Sequence, residues 1–231
     1  KEHELNEMKS SFISMVSHEY RTPLQAIVMS TQLLSDYGEK LNEESRFKYF
    51  EIISKSVKTM DTLLEDIITY NNIEGGKVEF LPTNIDVEKF CLNFAYEMQY
   101  LAKDKCKIDL TVNNGNCIAS MDEKIIRQAL TNIISNAIKY SKDGDTVELV
   151  VNVFDNEIEF VVRDFGIGIH EEDQRRIFEP FFRGKNVGAS SGTGLGLSIA
   201  RNTINSHGGS ISFESKPGAG TAFFVRIPFF E

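Results

Sequence analysis

The sequence predicts an α+β chain in two parts. An N-terminal helical hairpin, of the kind that pairs into a dimeric four-helix bundle, precedes a two-layer α/β sandwich. Three observations carry this prediction. Apolar residues at the N-terminal end recur at helical spacing over two long stretches. The run Asn71-Asn72-Ile73-Glu74-Gly75-Gly76 then punctuates the chain like a linker. Beyond it, helical stretches mix with short alternating segments of strand character, as in a domain with one helical and one sheet layer. The expected division is residues 1–74 and 77–231.

Leu5, Met8, Phe12, Met15, Tyr20, Leu24, Ile27 and Leu34 place a helix over 4–37, with a one-residue slip near Pro23 and an end at Asp36-Tyr37-Gly38. A second helix covers 43–72. Phe50, Val57 and Leu64 lie seven apart there, as do Ile53, Met60 and Ile67, which are a and d positions of a heptad. One antiparallel hairpin cannot cover both of its apolar stripes, so a second copy is expected to complete the bundle. Packing against the rest of the same chain is the competing reading. After the linker, helices are expected over 86–102, 122–141 and 195–207, the last ended by His207-Gly208-Gly209. Strands are expected over 107–113, 117–121, 146–154, 157–164, 210–215 and 220–229, with Lys216-Pro217-Gly218 turning the last pair.

Composition narrows the function. With 231 residues and 41% hydrophobic content, the chain can bury a sizeable core. A net charge of −9 argues against a general nucleic-acid binder, which needs a basic face. No apolar run approaches the roughly 18 residues that span a bilayer, and no secretory signal is visible. Cys91, Cys106 and Cys117 are odd in number and lack C-x-x-C spacing, so reduced thiols and a cytoplasmic setting are expected. The opening Lys-Glu-His-Glu-Leu-Asn-Glu-Met has mid-helix character, which suggests a piece of a longer protein that a further segment could anchor to a membrane.

Three constellations carry chemistry. His18 sits on the first helix, beside Glu19 and ahead of Pro23. Imidazole is nucleophilic at neutral pH and can carry a transferred group. Glu19 could take a proton from the ring. Pro23 removes the amide that would bond the Glu19 carbonyl, so the helix should kink or loosen beside the histidine. Thr22 lies on the face of His18. On the helix over 122–141, Gln128, Asn132, Asn136 and Tyr140 stack at i+4 intervals with Lys139 beside them. Asparagine is a poor helix former, so two in register call for a partner. A carboxamide oxygen can ligate Mg2+, and a lysine can neutralise phosphate. In Asp164-Phe165-Gly166-Ile167-Gly168, the carboxylate could accept an exocyclic amine while the glycines admit close backbone approach. Gly192-Thr193-Gly194-Leu195-Gly196-Leu197 opens a helix, a ready anion site. It is neither a Walker A loop nor G-x-G-x-x-G. Residues 170–191 read as a lid, with Phe178, Phe181 and Phe182 anchoring one end and Gly188-Ala189-Ser190-Ser191 allowing movement at the other.

In this order, these segments resemble the sensor histidine kinases of two-component signalling. Ser17-His18-Glu19-Tyr20-Arg21-Thr22-Pro23-Leu24 resembles the H box, and Asn132 to Ser141 the N box. Asp164 to Gly168 resembles G1, Phe178 to Phe182 the F box, and Gly192 to Leu197 the G2 box. Tyr20 departs slightly, since the family more often has Leu or Phe there. The resemblance implies a dimerisation and phosphoacceptor hairpin, a GHKL-type (Bergerat) ATP-binding sandwich, and ATP with Mg2+ as cofactors. It implies His18 as the phosphorylated residue with Glu19 assisting, Asn136 as the Mg2+ ligand, and Asn132 in the cofactor site. It places Asp164 and Tyr140 at adenine. Lys139 and Arg183 would lie near the phosphates, with Gly194 and Gly196 giving amides. Gly166, Gly168, Phe182, Gly192, Thr193, Leu195 and Leu197 complete the implied cofactor site. The implied partners are a response regulator receiver domain and a second copy of the chain, with Thr22 at the position that helps a phosphatase reaction on the regulator. Another GHKL ATPase, or a nucleotide-binding dimerisation module without transfer, are the alternatives.

Overall fold

The computed structural model of the chain describes residues 2–76, 79–115, 117–185 and 192–229, the side chains of 2–12 and 74 excepted. The chain divides into two compact units, Lys1–Asn71 and Asn72–Glu231.

The first unit is a helical hairpin of α1 (Glu2–Tyr37) and α2 (Glu43–Glu74). Asn42 starts α2: its Oδ1 accepts the Ser45 amide at 2.8 Å, satisfying a donor that the first turn leaves orphaned. Inside the hairpin, Pro23, Ser30, Ser56 and Leu63 are buried, while Ile53, Met60 and Ile67 are half-buried. The other heptad stripe is left to solvent, with Phe50 58%, Val57 52% and Leu64 48% exposed. The hairpin thus covers one of its stripes and leaves the second uncovered. α1 runs without a break through Pro23. The expected loosening therefore stops short of ending the helix, because a proline deletes a single ladder bond and the buried ring is held on both sides by a long helix.

The second unit begins with a short strand that its sequence barely signals. β1 (Thr83–Asp86) pairs antiparallel with β3 (Ile118–Met121) as a two-stranded sheet. The other strands are β2 (Cys106–Asn113), β4 (Asp145–Val153), β5 (Glu157–Asp164), β6 (Ser210–Lys216) and β7 (Gly220–Pro228). They form one sheet in the order β2-β4-β5-β7-β6, parallel at β2–β4 and antiparallel elsewhere. The helices are α3 (Val87–Ala102), α4 (Glu123–Tyr140), the one-turn α5 (Glu171–Gln174) and α6 (Gly196–Ser206). β4 and β5 alternate strictly, sending Val147, Leu149, Val151, Ile158, Phe160 and Val162 inward. Ile126, Leu130, Ile133 and Ile134 of α4 meet them, each fully buried. The result is a helical layer on one face of the sheet.

A buried polar knot joins the far ends of α4 and α6. Asp122 caps α4, accepting the Ile125 amide at 3.1 Å on Oδ1 and the Leu81 amide at 2.8 Å on Oδ2. The Asp122 amide in turn donates to Nε2 of His207 at 3.1 Å, and Phe80 packs edge-on against that ring at 4.7 Å. An accepting Nε2 requires a neutral imidazole with its proton on Nδ1. Burial pushes the His207 pKa down, against the opposing pull of the Asp122 charge. Between that lowered value and the ordinary histidine value of about 6.5, the unfolded chain binds a proton that the folded chain refuses. Stability held above about pH 6.5 is therefore lost as pH falls below it. Thermal midpoints measured from pH 7.5 to 5 should drop on acidification, and His207→Gln should flatten that slope while lowering the midpoint at pH 7.5.

Candidate functional site

On α1, His18 is exposed, with 73% of its side chain accessible, and its Nδ1 lies 3.5 Å from Oε1 of Glu19, which is 22% exposed. Thr22 Oγ1 lies one turn on, 3.5 Å from the His18 carbonyl to which it donates. The imidazole therefore stands open to a reactant, with a carboxylate on one nitrogen and Nε2 turned to no partner in the hairpin's described hydrogen bonds.

In the second unit, the site residues gather around the C-terminal end of α4. Asn132, Asn136, Lys139 and Tyr140 are half-buried along one edge of that helix, whose opposite face is locked in the core. The Lys139 ammonium lies 4.7 Å from the centroid of the Tyr140 ring. It also comes within 2.7 Å of where a Cβ on Gly192 would stand, so only glycine fits there unless the lysine moves. A Cβ on Gly196 would meet Oδ1 of Asn132 at 3.6 Å. α4 and the glycine-rich start of α6 thus face each other. Leu195, the N-cap residue of α6, makes no side-chain cap hydrogen bond.

Asp164 ends β5. It is 6% exposed, and its Oδ1 accepts the Gly166 amide at 2.9 Å. Burial raises its pKa, opposed by the amides of Gly166 and Thr221, and the nearby charge of Asp145 raises it further. The chain after Asp164 is pressed against two neighbours. A Cβ on Gly166 would stand 2.2 Å from the Tyr140 carbonyl oxygen, and one on Gly168 (φ +63°) 2.1 Å from that of Lys216. The Gly218 amide donates to the Ile167 carbonyl at 2.8 Å, and the Ile169 amide to Oγ of Ser215 at 2.9 Å. Ser215, Gly218, Gly220 and Thr221 therefore build the floor of this loop. The sequence reading missed them; the signal available was the Gly-Ala-Gly-Thr run entering the last strand.

Not every expected residue points into this space. Leu195 is fully buried, so only its backbone is available, and Leu197 packs on the core. Thr193 accepts the Leu195 amide on Oγ1 at 3.0 Å. Phe182 lies beneath the Arg176 guanidinium, 4.4 Å from it, and Arg183 is exposed. Phe178 holds the segment to the sheet through Phe213 and Phe223, at 5.8 and 6.4 Å. Phe181 adopts φ +66° and donates its amide to the Gly194 carbonyl at 2.9 Å, tying the F box to the G2 box. The expected lid contains the short helix α5, and its small-residue stretch Gly188–Ser191 lies outside the described residues.

The family model described as "His Kinase A (phospho-acceptor) domain" matches residues 8–76. The one described as "Histidine kinase-, DNA gyrase B-, and HSP90-like ATPase" matches residues 121–231. The chain belongs to the sensor histidine kinases. It is 33% identical to Drug sensory protein A of Synechocystis over all of the chain and 36% of that protein. The fold matches the histidine kinase AdeS of Acinetobacter baumannii with a TM-score of 0.67 at 26% identity, over 93% of this chain and 98% of that one. It matches full-length ShkA, solved with AMPPNP, with a TM-score of 0.69 at 26% identity, over 95% and 46% of the two chains. The chain spans about a third of the length of the first curated relatives it matches. The sandwich of this histidine kinase is accordingly an ATP-binding domain of the GHKL type.

The packing around this kinase's G1 loop makes one clear prediction. Gly166→Ala forces a Cβ into the Tyr140 carbonyl, and overpacking of this kind typically destabilises by about 1–3 kcal/mol. Gly196→Ala meets only ordinary contacts and should stay within about 0.5 kcal/mol of the parent. Urea unfolding of the two variants checks the contrast.

Proposed function

We propose that the chain is a catalytic core in which ATP bound by residues 77–231 phosphorylates His18 in the hairpin of residues 1–74, which then passes the phosphoryl group to an aspartate of a response regulator. The single observation that favours this most is the accessibility of His18 beside Glu19, in a chain that also carries an ATP-binding domain. With Glu19 at Nδ1, the ring holds its proton there and presents the Nε2 lone pair. That nitrogen attacks the γ-phosphorus, the N–P bond forms, the bond to the bridging oxygen breaks, and ADP leaves. The Nδ1 proton passes to Glu19. Such transfer is mainly positioning and charge stabilisation. Lys139 and Arg183 supply positive charge, and the amides after Gly194 and Gly196 receive phosphate oxygens at the start of α6. Asp164 accepts the adenine amine, with Tyr140 beside the base.

The carboxamide oxygens of Asn136 and Asn132 are the donor type that a hard cation prefers, and among the described residues no cluster of acidic, histidine and cysteine side chains offers an alternative site. Asn136 would hold Mg2+ there, which neutralises phosphate charge when bound. The uncovered stripe of Phe50, Val57 and Leu64 supports a homodimer closed by a second copy. Thr22 supports a phosphatase reaction on the same regulator. No helix among the described residues is long and apolar enough to cross a membrane, and we assign this core to the cytoplasm.

Incubation with γ-labelled ATP and Mg2+ tests the reading. Acid-labile, alkali-stable label should appear on the protein, and His18→Gln should reduce it to background. Glu19→Gln should slow labelling by about 10²–10⁴-fold, the usual contribution of a positioned base. Label that persists in His18→Gln would refute the assignment.

A further inference from the structure

Lys105 lies in the turn between α3 and β2, outside every motif identified above. Its own backbone is fixed on both sides: its amide donates to the Ala102 carbonyl at 3.1 Å, and its carbonyl accepts the Gly144 amide at 2.7 Å. From this anchored root the half-buried side chain reaches to the end of α4, where Nζ donates to the Lys139 carbonyl at 2.7 Å. The last carbonyls of a helix lack intrahelical partners, and an ammonium there also meets the negative end of the helix dipole. The neighbouring carbonyls are engaged differently. That of Ala137 accepts both the amide and the hydroxyl of Ser141, at 3.0 and 2.7 Å. That of Tyr140 is pressed against Gly166.

Lys139 is therefore gripped by its backbone while its own ammonium lies over the Tyr140 ring and against Gly192. We propose that Lys105 is a positioning residue for nucleotide: by clamping the Lys139 carbonyl, it sets where the Lys139 ammonium stands relative to the phosphates. This rests on the reading of the second unit as the nucleotide site. A cation was available for the role only because the α3–β2 turn passes beneath the end of α4. An apolar side chain of similar length, such as methionine, could fill the space but has no donor to hold the carbonyl.

A double-mutant cycle on the 231-residue chain tests this, with ADP and Mg2+ titrated by calorimetry. Lys105→Met should weaken ADP binding about tenfold, and Lys105→Arg, which keeps a donor, should restore most of it. In a Lys139→Met background, Lys105→Met should weaken binding by no more than about threefold further, because the group through which it acts is gone. Urea unfolding of each variant monitors folding. A full tenfold loss in both backgrounds, or ADP affinity unchanged by Lys105→Met in a chain that binds ADP normally, would overturn the proposal. Failure of the parent chain to bind ADP at all would instead overturn the nucleotide reading.

Discussion

The docking of α4 on the sheet sets most of what the second unit can do. Ile126, Leu130, Ile133 and Ile134 are fully buried and Ala137 nearly so, which at roughly 25 cal/mol per Å2 of apolar surface is a large fraction of the driving force for this layer. A helix turns about 100° per residue, so fixing that stripe in the core also fixes the direction of every other residue on α4. Asn132, Asn136, Lys139 and Tyr140 follow along its half-exposed edge. The strands obey the same logic with a period of two. Ile158, Phe160 and Val162 point inward from β5, and the next inward position is Asp164. A carboxylate thus occupies what the pleat makes a core position, immediately below the end of α4.

An apolar residue at 164 would suit that position better for stability alone. Burial of the carboxylate raises its pKa, and only backbone amides oppose the shift directly. Perturbed carboxylates of this kind cluster at functional sites. The surrounding glycines point the same way. Gly166 and Gly168 admit carbonyls of Tyr140 and Lys216 that any side chain would exclude, and Gly220 (φ +90°) does so for Asp164 itself, whose carbonyl oxygen would lie 2.0 Å from a Cβ there. The loop is held by backbone packed on backbone, which leaves it little freedom to drift.

Much of this was legible in the sequence because it is periodic or local. The helices α1, α2, α4 and α6 and the strands β4 to β7 follow from apolar spacing, and their observed ends fall within about two residues of those expected. β1 escaped notice because it has four residues and one buried apolar side chain, Ile85, so no alternation is available to read. The one-turn α5 was hidden in a long polar stretch for the same reason. Pro23 leaves the 36-residue helix α1 unbroken, because one missing hydrogen bond does not end a helix of that length. In the site, glycines and carboxamides announce themselves by type and spacing. Ser215, Thr221, Lys105 and His207 do not, because each acts through a partner distant along the chain, and no local pattern encodes a pairing such as Lys105 with Lys139.

Those distant partners give the helical layer its mechanical character. α4 and α6 run antiparallel: the start of α4 meets the end of α6 at Asp122 and His207, while Asn132 and Lys139 meet the start of α6 at Gly196 and Gly192. α4 is pinned at both ends, by the buried Asp122–His207 knot at one and by Lys105 at the other. The segment entering from the linker is tied into the first of these pins, through the Leu81 amide on Asp122 and the Phe80 ring on His207. A helix fixed at both ends and buried along its length moves as a rod rather than bending. Residues 80–81, the start of α4 and the end of α6 are therefore held in one buried cluster, while the edge that carries Asn136 and Lys139 is set from the opposite end of α4 by Lys105.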